Sequence, residues 1–359
     1  ENQAVVSKVK KEEKKQAPPL LHSLTTLQRE ANQLYGYSAK MTLDLAQELY
    51  EAKKISYPRT DAQHLDEQKE TKELIKKVLT KLGKSNLVER VAKVGKKVFN
   101  TSKLTDHYAL IPLDLLTPKN LGDKLTEAHY HLYILIARRL TGAFMLDYLY
   151  QTTTVTTLVK QHAFISRGKI ETQLGWKELY QRDKKTHKDS EEEQNLPDLK
   201  QEDEVEKKGQ KLESKTTKPP ERYKESSILG VMEKLKLGTP ATRASIIETL
   251  KTREYMELQK KTLVPKEKGM QLIQNLKDRD FTQAEMTANW EQTLESIYKN
   301  KQGYQGYHDF LTQMKGLIQK EVEDLNTLSL NVESSNEPIS KCEVCQDIEE
   351  NARCFKCRH

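Results

Sequence analysis

Between Tyr150 and Leu174 the pattern of this chain changes once, and that change bounds the fold. Tyr150–Lys160 (YQTTTVTTLVK) is dense in Thr and Val, and Ala163–Leu174 alternates; both read as strands. On either side, apolar residues recur at helical spacing. Leu24, Leu27, Ala31 and Leu34 do so, as do Leu45, Leu49 and Ala52 with Ala46 and Tyr50 beside them. Residues 126–146 are apolar around much of the helix surface, as a core helix is. The expected class is mainly α with a smaller β-rich part, an α+β chain of several domains.

Other elements fill in around this frame. Thr25 and Gln28 have capping-box spacing at the head of the first helix. A second helix is expected from about Ala39 to Lys54, and residues 66–98 read as two charged amphipathic helices. Residues 1–16, rich in Lys, Glu and Gln, read as a solvated arm or the end of a truncated element, and 181–220 as a disordered or loosely ordered loop. From Ser226 a helix, the Gly238–Arg243 turn, a helix over Ala244–Lys251, a hairpin over Leu258–Pro265 and a helix over Lys268–Lys277 follow a winged-helix-like plan. Helices over 283–299 and 307–325 are expected next, then a linker.

With 359 residues, 36% hydrophobic and 31% charged, the chain is polar but long enough for two or three modest cores. A net charge of +7 favours a polyanionic partner. The first residues carry no signal-peptide pattern, and the most apolar run, Leu132–Ala137, is too short to span a membrane. A cytoplasmic, monomeric protein without a membrane partner is the expectation. The chain opens on Glu1 rather than Met, which reads as a piece of a longer protein.

Chemistry concentrates at Ile55–Asp61. Pro58 lacks an N–H and pushes Tyr57 out of the α region, so the helix before it must stop. In an extended segment Tyr57 and Arg59 share a face, a hydroxyl beside a fixed positive charge. A guanidinium favours the phenolate and binds phosphate bidentately, a pairing suited to a Tyr that attacks a phosphodiester. An ordinary turn with a half-buried ring would have the same residues. His107, at the mouth of the apolar run Ala109–Leu113, is either a structural hydrogen-bonder or a donor to phosphate. The Gly238–Arg243 turn offers N–H groups, a Thr hydroxyl and an Arg to a phosphate, or is a plain helix start. Cys342, Cys345, Cys354 and Cys357 form two CxxC pairs with thiolates for a Zn2+, although eight intervening residues are few for a ribbon. P-loop, dinucleotide and HExxH motifs do not occur.

Together these segments resemble the type IA DNA topoisomerases, most closely the bacterial topoisomerase III branch. The resemblance is carried, in order, by PPLLHSLTTLQREAN (18–32), SYPRTD (56–61), HYALIP (107–112), GWKELY (175–180), LGTPATRASIIETLKTREY (237–255) and MTANWEQTLESIY (286–298). It implies an arch with winged-helix-like helical domains and ATP-independent breakage, passage and rejoining of single-stranded DNA. Tyr57 would be the nucleophile that forms a 5′-phosphotyrosine, Arg59 its electrostatic partner, and His107 a group near the scissile phosphate. Thr242, Arg243 and Arg253 would grip DNA, chiefly single-stranded. The implied layout is 1–17 as the end of a hinge element, 18–146 as the arch, 147–220 as a β-rich hinge with its charged loop, 221–328 as the DNA-gripping domain, and 329–359 as a linker and zinc-ribbon-like tail. The family's Toprim domain, with its Mg2+ site, has no counterpart in these residues. The chain alone is therefore expected to be inactive, with a Toprim-containing chain as a further partner. The competing reading is a non-catalytic single-stranded-DNA-binding fragment. Tyrosine recombinases fit poorly because Tyr57 lies early, and relaxases because the nine His form no triad.

Overall fold

The computed structural model describes residues 3–104, 106–181, 196–276, 279–300 and 303–327. In it the Thr/Val segment forms the expected hairpin: β2 (Tyr148–Val159) and β3 (His162–Gln173) pair antiparallel. The polar N-terminal segment is not an arm. It is β1 (Gln3–Gln16), paired with β2 from Val5↔Leu158 to Gln16↔Tyr148, so its backbone groups find partners that the sequence pattern did not reveal. A short strand β4 (Glu204–Glu206), within the segment expected to be loose, pairs with Gln3–Val5 and completes a sheet of order β3-β2-β1-β4. Ser7 is an extra residue between Val6 and Lys8, and its Oγ donates to Thr156 O at 3.0 Å. One side of the sheet is covered, with Ala4, Val6, Val155 and Thr153 buried. Residues 198–206 lie against β1: Val6 N donates to Asp203 O at 2.9 Å and Lys11 pairs with Asp198 at 2.6 Å.

The base of the hairpin is pinned. Trp176 donates from Nε1 to Gln16 O and from its backbone N to Leu146 O, both at 3.0 Å. Gly175 makes this turn at φ +50°, where a Cβ would lie 2.4 Å from the carbonyl oxygens of Leu146 and Asp147. Only glycine fits there without displacing the backbone.

The helices form around three apolar clusters. α1 (Leu24–Tyr35) buries Leu24, Leu27 and Ala31, as its periodicity predicts. Its cap is Ser23 with Thr26, not Thr25 with Gln28; those two are buried, and Gln28 Nε2 donates to Ala39 O at 2.9 Å. α2 (Ala39–Glu51) ends before Lys54 and buries Leu43, Leu45, Ala46 and Leu49, leaving Tyr50 and Ala52 exposed. α3 is Lys69–Lys81; the second helix expected before residue 98 is instead a set of 3-10 turns from Ser85. α4 (Glu127–Ala143) is the core helix, with Leu132, Tyr133, Leu135, Ile136 and Leu140 at most 1% exposed.

α5 (Glu225–Lys234) and α6 (Arg243–Thr252), followed by the hairpin β5 (Met256–Gln259) and β6 (Thr262–Pro265), give the winged-helix-like order. α5 and α6 share a core with α1 and α2 through Leu24, Ala39, Leu43, Leu229, Ala244 and Ile247. Glu225, 2% exposed, locks this seam: its carboxylate accepts from Ala39 N at the head of α2 and from Lys251 Nζ, both at 2.8 Å. These elements belong to one compact unit, Glu1–Pro265; the second is Lys266–His359. Within the second, α7 (Glu267–Leu276), α8 (Ala284–Asn300) and α9 (Gly303–Asn326) are described, and Arg279 pairs with Asp324 at 2.7 Å. Among the described residues no helix is long and apolar enough to cross a membrane. The four cysteines lie outside the described residues.

Candidate active site

Three segments distant in sequence meet at Tyr57. Ile55 forms an antiparallel bridge with Pro112, and Ser56 N donates to Ile111 O at 3.0 Å. The buried Ser56 hydroxyl donates to Ala109 O at 3.1 Å and accepts from Ile111 N at 2.9 Å. Thr60 Oγ1 donates to His107 O at 3.3 Å and accepts from Ala62 N at 3.1 Å. On the other side Leu110 N donates to His22 O at 2.8 Å, and Leu24 N to Thr60 O at 2.9 Å. Lys54 and Lys81 both pair with Asp114, at 2.8 and 2.9 Å, and hold its carboxyl well below the usual range. The small hydroxyls of SYPRTD are thus structural, and Arg59 and Asp61 are exposed with the Tyr57 ring half-buried beside them.

The segment is not extended beyond Ile55. Thr60 N donates to Pro58 O at 2.9 Å, closing a tight turn over Arg59, so strand-like alternation does not relate Tyr57 to Arg59. His107 relates them instead. The half-buried Tyr57 ring packs against the His107 ring at 4.5 Å between centroids and meets Tyr50 edge-on at 5.4 Å. His107 and Arg59, both exposed, line one cleft of about 170 Å3 with Thr60, Asp61, Asp106 and Pro240. Pro240 belongs to the Gly238–Arg243 turn, so the cleft is shared between the Tyr57 loop and the head of α6.

That turn differs from the expected phosphate nest. Thr239 N donates to Thr242 Oγ1 at 2.8 Å, while the N–H groups of Thr242 and Arg243 go to Thr239 O at 3.0 and 3.1 Å. The N–H groups of Thr239, Thr242 and Arg243 are therefore used within the turn. Arg243 is buried: Nη1 donates to Thr25 Oγ1 at 2.9 Å and Nε to Leu237 O at 3.1 Å. Burial lowers its pKa, against the pull of Glu233 and Asp61. Here the guanidinium ties α6 to α1. Gly238 is required at φ +62°, with Ile246 Cδ1 2.9 Å from where a Cβ would be. Thr242 is exposed at the helix start, and Arg253 is exposed at the end of α6, outside the residues that line the cleft.

Sequence reasoning passed over two cleft residues, Asp61 and Asp106. Each adjoins a residue it did single out, within SYPRTD and before His107. It also passed over the buried group beneath the site. His22, on the segment bonded to Leu110, is fully buried with Nε2 3.3 Å from Glu30 Oε2, the oxygen that also takes Arg139 Nη2. Burial and the Arg139 charge push the His22 pKa down to about 4. Burial alone would raise Glu30, but its cationic neighbours hold it ionised.

The model of a family described as DNA topoisomerase matches residues 1–309. The chain belongs to the DNA topoisomerase family. It is 31% identical to DNA topoisomerase 3 of Bacillus licheniformis over 95% of its own length, and 32% identical to that of Bacillus subtilis over 96%. It spans about half the length of the curated relatives it matches, 50% of each of these two. Full-length topoisomerase I from Thermotoga maritima shares the fold, with a TM-score of 0.69 and 24% identity over 88% of this chain and 52% of that one.

Proposed function

We propose that this chain carries the nucleophile-bearing part of a type IA DNA topoisomerase, which breaks and rejoins single-stranded DNA without ATP. The observation that carries the reading is the packing of Tyr57 on His107 at the mouth of the cleft that also takes in Arg59. The Tyr57 hydroxyl oxygen attacks phosphorus; the P–O3′ bond breaks and a 5′-phosphotyrosine forms. The phenol loses one proton and the departing 3′-oxygen gains one. Bond type and proton count are conserved, so the reverse step reseals the strand with no external energy. Arg59 and His107 donate to the non-bridging oxygens as charge gathers on them. Thr242 and Arg253 contact the single strand, and Arg243 acts by holding the turn that closes the cleft.

In this reading 18–146 is the arch, 1–17 and 147–220 its hinge, 221–328 the gripping domain and 329–359 the linker and tail. Mg2+ is the metal the family implies. Among the described residues no group of three or more His, Cys, Asp or Glu is placed to hold a metal ion, and Asp61 and Asp106 are only two. Zn2+ at Cys342, Cys345, Cys354 and Cys357 rests on their spacing alone.

The test is covalent trapping. The chain is mixed with a single-stranded oligonucleotide and Mg2+, with the Toprim-bearing half of a relative added in trans, and quenched with denaturant. A 5′-phosphotyrosine leaves the protein on the fragment bearing a 3′ label and not on one bearing a 5′ label. Salt-sensitive binding with no adduct under any of these conditions would favour the non-catalytic DNA-binding reading instead. His107→Ala is expected to slow adduct formation about 100-fold, the scale of a lost proton-transfer or donor group. Its Tm should stay unchanged because His107 is exposed. A wild-type rate in this variant would remove His107 from the mechanism.

A further inference from the structure

The open side of the four-stranded sheet carries a charge pattern that the Tyr57 site does not use. The register puts Lys8, Thr156 and Ile165 in one row, Lys10, Thr154 and Arg167 in the next, and Glu12, Thr152 and Lys169 in a third. Lys14, Tyr150 and Glu171 follow in a fourth. These residues share a face, because side chains directly opposite across an antiparallel pair point the same way, as do alternate residues along a strand. The face is opposite the one that buries Val6 and Val155. Lys8, Lys10, Lys14 and Arg167 are exposed on it, while Lys169 lies over the stacked rings of Tyr148 and Tyr150 at 5.4 and 5.1 Å. Across β1–β3 two carboxylates stand against these five cations; Glu204 and Glu206 of β4, opposite Val5 and Gln3, add two more at the far end of the same face. Glu12 is already engaged by Lys10 and Lys14, and Glu171 accepts from the Tyr148 hydroxyl at 2.6 Å.

An open face of an antiparallel sheet is ordinarily polar, and threonine is a good strand residue, so polarity alone says nothing. The local excess of cations in the four rows across β1–β3 does. Lysine and arginine flanking a column of Thr hydroxyls are the side chains that contact phosphate oxygens. They are set out on a lattice of about 4.8 Å between strands and about 6.8 Å between alternate residues. The aromatic rings on this face are stacked on one another under Lys169, which leaves base reading or base stacking without a platform. We propose that this face is a second DNA-binding surface, one that holds the phosphate backbone of a DNA segment regardless of base sequence. The proposal rests on the topoisomerase reading above. A strand-passing reaction involves a segment that is cut and a segment that is moved, and the sheet supplies a place for one that does not reach Tyr57.

The test measures binding of the purified chain to a fluorescein-labelled duplex by anisotropy, between about 50 and 200 mM salt. Each phosphate contact adds about 0.9 to the slope of log K against log salt for a duplex, so Lys8→Gln/Lys10→Gln/Arg167→Gln should lower the slope by about 2.7. Lys8→Arg/Lys10→Arg/Arg167→Lys keeps the charges and should keep the slope, which separates charge from misfolding. A Gln variant with an unchanged slope, or a wild-type chain that does not bind duplex, overturns the proposal. So does an equal loss of binding to polyglutamate, which would make the face a site for acidic protein. Trapping on a short single strand at Tyr57 should be the same in the Gln variant and the wild type. Failure of trapping in both would strike the cleavage reading and leave the slope result standing.

Discussion

Replacing Tyr57 with phenylalanine is expected to abolish the covalent protein–DNA adduct altogether while leaving the fold and DNA binding in place. The substitution removes one oxygen. The ring contacts with His107 and Tyr50 are made by carbon surfaces that phenylalanine keeps, and no buried partner of the hydroxyl is lost among the described hydrogen bonds. Stability should therefore change by no more than the roughly 0.5 kcal/mol typical of surface changes, with little movement of Tm. The adduct, in contrast, needs that oxygen as the attacking atom, so the expected effect is all or none. An adduct of normal yield in Tyr57→Phe, read by denaturing gel with a 3′-labelled strand, would assign the nucleophile to a different residue.

The largest stability effect is expected one layer down. Arg139 on α4 and Glu30 on α1 form a buried pair facing His22, with Arg139 Nη1 also donating to Leu20 O at 3.3 Å. Arg139→Met would leave the Glu30 carboxylate buried without its counter-charge, at a cost of about 3–5 kcal/mol. A thermal melt should fall on the order of 10 °C. Adding Glu30→Gln should recover much of this, because the stranded charge and not the lost contact is the main penalty. Equal melts for Arg139→Met and wild type would show that the pair contributes nothing.

The same cluster gives the protein an acid-sensitive stability. His22 has a pKa of about 4 when folded against an ordinary value of 6.5, so between those values the unfolded chain takes up a proton that the folded one refuses. Stability from this group is complete above pH 6.5 and declines as pH falls towards 4, by about 3 kcal/mol. Glu30, whose folded pKa is depressed, adds a loss of the same sign below its ordinary value of 4.5. His22→Asn should flatten the upper part of a plot of stability against pH. An unchanged slope between pH 6.5 and 4 would rule His22 out as its source.

Much of the architecture could be read from periodicity, because burial there is decided locally. Leu24, Leu27 and Ala31, or the run through α4, point inward wherever the partner lies. Several of the failures involve partners far away in the chain. Three hydroxyls in Ser23–Thr26 allow more than one capping frame, and the choice is made by Thr25, buried against Arg243 218 residues later. The same contact turned an Arg expected at a DNA surface into a buried tie. The polar β1 gave no strand signal because its pairing is with β2, more than a hundred residues on. At the site, Tyr57, Arg59 and His107 were visible as residue types, but their connection was not. It depends on a turn at Pro58–Thr60 and on a bridge between Ile55 and Pro112.

The extra residue at Ser7 acts as a phase shifter. Before it, the even-numbered Ala4 and Val6 are the buried ones; after it, the even-numbered Lys8 and Lys10 are exposed, while Val9 stands in register with the buried Val155. Strict alternation along β1 would have set Lys8 and Lys10 on the same side as Val6. A chain lacking only Ser7 would run Val6, Lys8, Val9, Lys10 in strict alternation and need no bulge; with Ser7 present, the bulge is what keeps the lysines off the side of the valines. A bulge at one residue, anchored by a hydroxyl on Thr156 O, thus keeps Lys8 and Lys10 facing away from the side that buries Val6.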